Sequence, residues 1–218
     1  MIAVFLVMHI WCYIFSFSKG LFTMTYPMPK QLPSIALLGC GYWGKNLVRN
    51  FHALGVLKLI CDKHETLLDQ FKTHYPELET CLSFTDSLSR DDIDSLVIAT
   101  PAETHYVLAR EALLAGKHVF VEKPLVLLEE QAEELIEIAR QQHRVLMVGH
   151  LLQYHPVFRK LKVMAANGEL GRINYVYSHR LNLGKIRREE NSLWSFAPHD
   201  ISMILSLAGE QPRHRHTG

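Results

Sequence analysis

The stretch IALLGCGYWG, residues 35–44, decides the fold of this chain. Its first four residues are apolar and predict a buried strand, and the glycines that follow have the spacing Gly-x-Gly-x-x-Gly. The next residues have helical periodicity. Their apolar face comprises Leu47, Val48, Phe51 and Leu54. Because a glycine turn between a strand and a helix opens a βαβ unit, the stretch predicts a parallel sheet.

Short apolar runs alternate with helical patterns from this stretch up to residue 150. Further strands are predicted at 56–61, 96–99, 119–121 and 145–148, and helices at 105–115 and 129–141. The predicted fold class is therefore α/β, a Rossmann doubly wound parallel sheet over residues 31–150.

The pattern changes after residue 150. A helix is predicted over 156–167, and the alternation of Ile173, Tyr175 and Tyr177 then predicts a half-buried strand. We interpret residues 151–218 as the start of an α+β substrate and oligomerisation domain. An independent sheet needs about three strands to bury its apolar face, so this domain is predicted to be incomplete.

The first seventeen residues carry no charge. They lack the basic start and the clear cleavage site of a secretory signal. A membrane anchor over residues 1–20 stays open, because a spanning helix needs roughly 20 apolar residues. We favour a start codon assigned too early, with Met24 or Met28 as the real start, and therefore leave residues 1–30 outside the fold.

The composition is that of a globular protein with a small-molecule partner. The formal net charge of +1 over 218 residues gives no electrostatic reason to expect nucleic acid. The four cysteines form no CxxC pair and lie in or beside apolar runs, which predicts reduced thiols and a cytoplasmic location. The 13 histidines show no ligand spacing, so no metal is expected.

The glycine pattern indicates a dinucleotide site. Gly39 permits the tight turn, Gly41 leaves room for a pyrophosphate to approach the backbone, and Gly44 lets helix and strand pack closely. The helix amides that follow would face the phosphates. A structural glycine turn without a ligand is the alternative.

Asp62 closes the second predicted strand, 23 residues after Gly39, where an acid bonds the hydroxyls of the adenosine ribose. Its carboxylate would repel a 2′-phosphate, so NAD is favoured over NADP. Lys63 and His64 follow directly and could hold that phosphate, so NADP stays open. An S-adenosylmethionine site uses a similar turn and acid, and the later motifs have to decide between these cofactors.

Two motifs follow the carboxyl ends of predicted strands, where open α/β sheets bind ligands. One is Thr100-Pro101, and the other is Glu122-Lys123-Pro124. Lys123 is a candidate to polarise or deprotonate a hydroxyl, although a lysine after a strand is more often a solvated surface residue.

In their order along the chain, these motifs resemble the Gfo/Idh/MocA family of sugar and cyclitol dehydrogenases. The resemblance covers residues 34 to about 210 and rests on the glycine turn, Asp62, TPAETH at 100–105, AGKHV at 115–119 and EKP at 122–124. GHLLQYHP at 149–156 and LWSFAPHD at 193–200 are similar to a branch that oxidises the 3-hydroxyl of UDP-N-acetylhexosamines.

The resemblance implies residue roles. Lys123 would lie beside the nicotinamide and the reacting hydroxyl, a cis bond would precede Pro124, and His199 would match the catalytic histidine at the start of a helix over 201–207. The residues expected to contact the cofactor, besides the three glycines, Asp62 and Lys123, are Tyr42, Trp43, Thr100, Pro101, His105 and Glu122. Tyr154 would contact the substrate, and the full-length family fold implies a homo-oligomer.

The chain departs from the family at Ser195, where many members carry an aspartate four residues before the histidine. A serine supplies no charge to raise the basicity of His199, so His199 and Lys123 would share the proton transfer. The alternative is that His199 caps its helix through Asp200.

A basic stretch after the predicted strand could clamp a diphosphate, because guanidinium groups bind phosphate oxygens in pairs. Its residues are Arg180, Asn182, Lys185, Arg187 and Arg188. Alternatively, its arginines pair with the glutamates at 189–190 in a solvated loop.

We therefore expect an NAD(P)-dependent dehydrogenase that oxidises a sugar hydroxyl, with a UDP-N-acetylhexosamine as the leading substrate. A dehydrogenase of a free sugar or inositol is one alternative. A truncated chain that binds the dinucleotide without turnover is the other.

Overall fold

The computed structural model describes residues 32–179 and 192–209. Contacts between Cα atoms divide the chain into two units, with the division between Val148 and Gly149.

The first unit is built on a six-stranded sheet in which every paired strand is parallel. The strands are β1 (Ile35–Leu38), β2 (Leu57–Cys61), β3 (Glu79–Cys81), β4 (Ser95–Ile98), β5 (His118–Val121) and β6 (Leu146–Val148). Their spatial order is β3-β2-β1-β4-β5-β6. This is the order of a doubly wound Rossmann sheet, which confirms the predicted fold class.

Helices connect successive strands of this sheet. They are α1 (Gly44–Ala53), α2 (Glu65–His74), α3 (Phe84–Leu88), α4 (Ala102–Leu114) and α5 (Glu129–Gln141). α1 and α5 have a clear apolar face in the sequence, and both lie where we predict them.

Two apolar clusters cover the two faces of the sheet. On one face, Ala36 and Leu38 of β1 lie in a cluster with Leu113 of α4 and Leu135 of α5. On the other face, the alternate residues of β1 pack in a cluster with side chains of α1 and α2. Because β1 is buried on both faces, its sequence is a continuous apolar run rather than an alternating one.

Three elements of the first unit are absent from the sequence prediction. β3 has three residues, none of them buried, and α3 has five residues, so neither gives a clear periodic pattern. α2 buries Leu68 alone, and its apolar stripe is too narrow to predict a helix.

The second unit contains a 3₁₀ turn (Leu151–Tyr154), α6 (Pro156–Ala166) and α7 (Ser192–Ala208). The half-buried strand predicted around Ile173, Tyr175 and Tyr177 is wrong. These residues form no strand, and both tyrosines are largely exposed, because no described segment of this unit offers a strand to pair with them.

The predicted start of the last helix is also wrong. α7 begins nine residues before 201, so His199 and Asp200 lie inside the helix, and capping by Asp200 is ruled out. α7 continues through Pro198, which lies inside the helix.

The expectation of reduced thiols fails for one pair of cysteines. Cys61 and Cys81 are joined as a disulfide, with Cα atoms 4.8 Å apart, on facing positions of β2 and β3. The sequence could not indicate this pairing, because the two cysteines are 20 residues apart and β3 is not predicted. Cys40 is a free, buried thiol, as expected.

Among residues 32–179 and 192–209, no helix combines the length and the apolar character that crossing a membrane requires. The apolar segment over residues 1–20 lies outside the described residues.

The packing of α5 on the sheet gives a prediction for stability. Leu135 is fully buried, whereas the neighbouring Ile136 is half exposed. Replacing Leu135 with Ala should lower the free energy of unfolding by about 2–5 kcal/mol, since it leaves a cavity in the core. The matched Ile136→Ala change should cost less than about 1 kcal/mol in the same urea titration. Equal costs would contradict this account of the core.

Candidate functional site

The strand order reverses between β1 and β4, which lie side by side with their helices on opposite faces. Ligands of open α/β sheets bind at such a point, beyond the carboxyl ends of the strands. The predicted motifs of the first unit follow those ends. The glycine turn comes after β1, Asp62 after β2, Thr100-Pro101 after β4 and Glu122-Lys123-Pro124 after β5.

The three glycines of the turn have different surroundings. Gly39 has a φ of +87°, and a Cβ there would lie 2.9 Å from the Ala99 carbonyl group. A Cβ on Gly44 would overlap the carbonyl oxygen of Gly39, so this position requires glycine for α1 to approach β1. No atom lies within 4 Å of a Cβ placed on Gly41. The open space at Gly41 is what the pyrophosphate of a dinucleotide needs.

The start of α1 suits a negatively charged ligand. Its first turn contains no acidic residue, and no side chain caps its first amides. The helix dipole and the absence of a side-chain cap therefore favour an anion here. Tyr42 is exposed at the turn, with the Lys45 ammonium 5.4 Å from its ring centre.

Asp62 is fixed by the glycine turn. One carboxylate oxygen accepts a hydrogen bond of 2.8 Å from the amide of Cys40, and the other accepts one of 3.0 Å from the amide of His64. The His64 ring lies 2.9 Å from the same second oxygen. Burial opposes ionisation, but these hydrogen bonds outweigh it and lower the pKa of Asp62. Asp62 is therefore a charged acceptor beside the turn, which fits the ribose hydroxyls of NAD.

His105 joins two loops at the carboxyl edge of the sheet. The ring is buried, with Nδ1 2.7 Å from the carbonyl oxygen of Pro124 and Nε2 2.9 Å from that of Thr100. The peptide bond between Lys123 and Pro124 is cis, as expected. Thr100 also has a hydroxyl contact of 2.7 Å with Thr104. His105 therefore contacts protein atoms on both sides of its ring.

Glu122 and Trp43 form a second connection. The indole Nε1 of Trp43 donates a hydrogen bond of 2.7 Å to Oε1 of Glu122, and the amide of Lys123 donates one of 3.3 Å to Oε2. Burial raises the pKa of Glu122, and the two hydrogen bonds oppose the shift without cancelling it. Sequence reasoning names both residues but misses the bond between them, because they are 79 residues apart.

The second unit holds the predicted residues His199 and Tyr154. His199 is buried on α7, and its ring meets that of His150 edge to face, with centroids 6.2 Å apart. The Ser202 hydroxyl donates to the carbonyl oxygen of His199 and accepts a bond of 3.2 Å from the Gln153 amide. Tyr154 is partly buried in the 3₁₀ turn, and burial raises the pKa of its hydroxyl.

The rest of the predicted substrate site is not described. Arg180, Asn182, Lys185, Arg187 and Arg188 all lie outside the described residues. Lys123 belongs to the first unit and His199 to the second. Within the described ranges, no group of three or more histidine, cysteine or acidic side chains could hold a metal ion.

Comparison with known proteins gives a family match. The family model GFO_IDH_MocA, described as an oxidoreductase family with an NAD-binding Rossmann fold, matches residues 34–150. The uncharacterized oxidoreductase YdgJ of Escherichia coli is 35% identical over 192 residues, which is 80% of this chain and 53% of the relative.

Two further comparisons extend this match. UDP-N-acetylglucosamine 3-dehydrogenase of Acidithiobacillus ferrooxidans is 27% identical over 182 residues, 81% of this chain and 54% of the relative. A crystal structure of an oxidoreductase from Klebsiella pneumoniae matches with a TM-score of 0.70 and 31% identity, over 81% of this chain and 51% of that one. The chain thus spans about half the length of the curated relatives it matches.

The glycine geometry separates two substitutions. Gly44→Ala should lower the free energy of unfolding by about 1–3 kcal/mol or more, because its methyl group overlaps backbone. Gly41→Ala should change stability by less than about 1 kcal/mol. It should nevertheless weaken NAD binding at least about tenfold, since its methyl group fills the approach to the pyrophosphate. Thermal unfolding and calorimetric titration check both. Intact NAD binding in Gly41→Ala would contradict the assignment.

The raised pKa of Glu122 gives a pH dependence. The folded chain binds this proton more tightly than the unfolded chain, so its contribution to stability is full below a pH of about 4.3 and is lost as the pH rises. Glu122→Gln keeps an acceptor for Trp43 and removes the charge. We expect the variant to gain thermal stability over the wild type as the pH rises from about 4 to about 8.

Glu134→Gln is the matched control, because hydrogen bonds from Tyr106 and Arg110 lower the pKa of Glu134. This variant should lose stability relative to the wild type as the pH rises, the opposite sign. The same sign in both variants would be evidence against the stated cause.

Proposed function

We propose that the chain, which belongs to the Gfo/Idh/MocA family of NAD-binding oxidoreductases, contributes the cofactor domain and part of the active site of a sugar dehydrogenase. The observation that carries this proposal is the convergence of the glycine turn, Asp62 and the Lys123 turn at one edge of the sheet. NAD, when bound, supplies the acceptor for a hydride from the sugar carbon.

The residues of this chain would bind the cofactor and move a proton. The open backbone at Gly41 and the amides of α1 would hold the pyrophosphate, and Asp62 would hold the adenosine ribose. Lys123 follows β5 at the edge where ligands bind. We assign Lys123 to the reacting hydroxyl, whose oxygen the ammonium group would polarise as the hydroxyl loses its proton.

His199 is proposed as the group that takes the hydroxyl proton. It matches the family's catalytic histidine in the LWSFAPHD motif, and it is buried on α7 beside His150. Ser195 stands where many family members carry an aspartate, so we assign the proton transfer to His199 and Lys123 together.

The leading substrate is a UDP-N-acetylhexosamine, oxidised at its 3-hydroxyl. The support is the similarity to a relative named UDP-N-acetylglucosamine 3-dehydrogenase and the two motifs of the second unit, GHLLQYHP at 149–156 and LWSFAPHD at 193–200. Tyr154 and the basic stretch at 180–188 would contact this substrate. A free sugar or inositol is the alternative, and assembly into a homo-oligomer remains a prediction from the family resemblance.

A substrate panel tests the proposal. With NAD present, the chain should form NADH from UDP-N-acetylglucosamine faster than from N-acetylglucosamine or myo-inositol, because a diphosphate adds binding energy. Preference for inositol would favour the alternative substrate. NAD binding without turnover of any compound would favour a chain that binds the dinucleotide alone.

Replacing Lys123 with Ala tests the residue assignment. We expect turnover to fall by about 10²–10⁴-fold, the usual contribution of a positioned acid or base. The dissociation constant of NAD should change by less than about threefold, since the pyrophosphate and ribose contacts are kept. Lys72→Ala, on the exposed side of α2, is the matched control for loss of a positive charge. Wild-type turnover in Lys123→Ala would overturn the role.

A further inference from the structure

The hydrogen bond between Trp43 and Glu122 joins two loops from different βα units. Trp43 lies in the glycine turn after β1, and Glu122 lies at the end of β5, with β4 between these strands. Its length of 2.7 Å is that of a strong bond from an N–H donor to a carboxylate. The bond therefore connects the expected pyrophosphate seat to the turn that carries Lys123.

Glu122 is enclosed on its other sides. Its residue is 8% exposed, its amide donates to the carbonyl oxygen of Ile98, and its second oxygen accepts from the amide of Lys123. Burial raises the pKa of this carboxyl group, which means that water contributes little to its solvation. A buried carboxyl group depends on protein donors, and the indole of Trp43 lies closer to its oxygens than the amide of Lys123 does.

The Lys123 turn is also held from its far side. The carbonyl oxygen of Pro124 lies 2.7 Å from the buried ring of His105, which reaches the carbonyl oxygen of Thr100 with its other nitrogen. The turn is therefore fixed between two side chains, Glu122 before Lys123 and His105 after Pro124. Of the two, only Glu122 connects the turn to the glycine loop.

We propose that Glu122 is a positioning residue, which holds the Lys123 turn against the glycine loop through Trp43 and so sets the nicotinamide end of the cofactor site. We call the Trp43–Glu122 pair the latch. The inference rests on the proposed function for its NAD site. It adds a positioning role to the expectation that Glu122 lines the nicotinamide end of the cofactor site, since its oxygens bind Trp43 and Lys123.

Trp43 itself can serve both the latch and the cofactor. Its residue is 40% exposed while its Nε1 is bound to Glu122, so part of the ring remains accessible at the turn. Replacing Trp43 with Phe keeps an aromatic ring and removes the donor. This change separates the hydrogen bond from the apolar contact.

The latch predicts that the two halves of the cofactor respond differently. ADP-ribose contains the adenosine, the pyrophosphate and the second ribose, and its contacts with Gly41 and Asp62 do not require the Lys123 turn. NAD adds the nicotinamide, which the turn would position. Breaking the latch should therefore weaken NAD binding more than ADP-ribose binding.

The experiment measures both dissociation constants by calorimetric titration of the full chain. Trp43→Phe and Glu122→Ala should each weaken NAD binding about tenfold, the size expected for one hydrogen bond to a charged group, and ADP-ribose binding by less than about threefold. Glu122→Gln, which retains an acceptor, should bind NAD within about threefold of the wild type. The double variant should lose no more than the weaker-binding single variant.

Tyr106→Phe is the matched control, because it removes an aromatic donor to another glutamate, Glu134, between α4 and α5. It should leave both affinities unchanged. Thermal unfolding of each variant shows whether it folds, and Trp43→Phe carries the test if Glu122→Ala does not fold.

Several results would overturn the latch. One is an equal loss of affinity for NAD and for ADP-ribose, and another is a loss of NAD affinity in the double variant that is the product of the two single losses. The others are a loss of NAD affinity in Tyr106→Phe as large as that in Trp43→Phe, and unchanged NAD affinity in Trp43→Phe. If the wild-type chain does not bind NAD, the cofactor assignment fails and the latch fails with it. If the wild-type chain binds NAD and any of the other results is found, the latch is contradicted but the NAD site is not.

Discussion

The close approach of α1 to β1 is the constraint on which the rest of the first unit depends. The carbonyl oxygen of Gly39 occupies the space where a side chain at position 44 would lie, so the turn closes only with glycine there. The closed turn aims the first amides of α1 beyond the carboxyl end of the sheet. It also brings the amide of Cys40 to Asp62 and the indole of Trp43 to Glu122. The expected pyrophosphate site, Asp62 and the Lys123 turn thus all depend on the closed glycine turn.

The charges at this edge have opposite environments. Hydrogen bonds lower the pKa of Asp62 despite its partial burial, whereas burial raises the pKa of Glu122. An ionised Asp62 suits ribose hydroxyls, because its oxygens accept hydrogen bonds without a proton to displace. Glu122 binds an indole and a backbone amide instead, which suits a residue that connects parts of the protein. The two acids therefore serve the site in different ways.

The sequence predicts the parts of this unit that local patterns determine. The glycine turn, β1 and α5 follow from short-range periodicity, and Asp62 follows from its place at the end of a strand. β3 is not predicted because it is a short edge strand that is not buried. It is a strand through its pairing with β2, which exists only in the folded sheet. The hydrogen bond between Trp43 and Glu122 is not predicted for the same reason, since the strand order of the folded sheet brings these two residues together. In the second unit the alternation around Tyr175 misleads, because periodicity without a partner strand does not make a sheet.

The central claim is that the turn after β1 and Asp62 together form an NAD site. Calorimetric titration of the full chain with NAD and with NADP tests this most directly. The account predicts saturable binding of one NAD per chain and weaker binding of NADP, because the ionised Asp62 repels a 2′-phosphate. Replacing Asp62 with Asn should reduce the difference between the affinities for NAD and for NADP. Absence of NAD binding, or tighter binding of NADP to the wild-type chain, would contradict the claim.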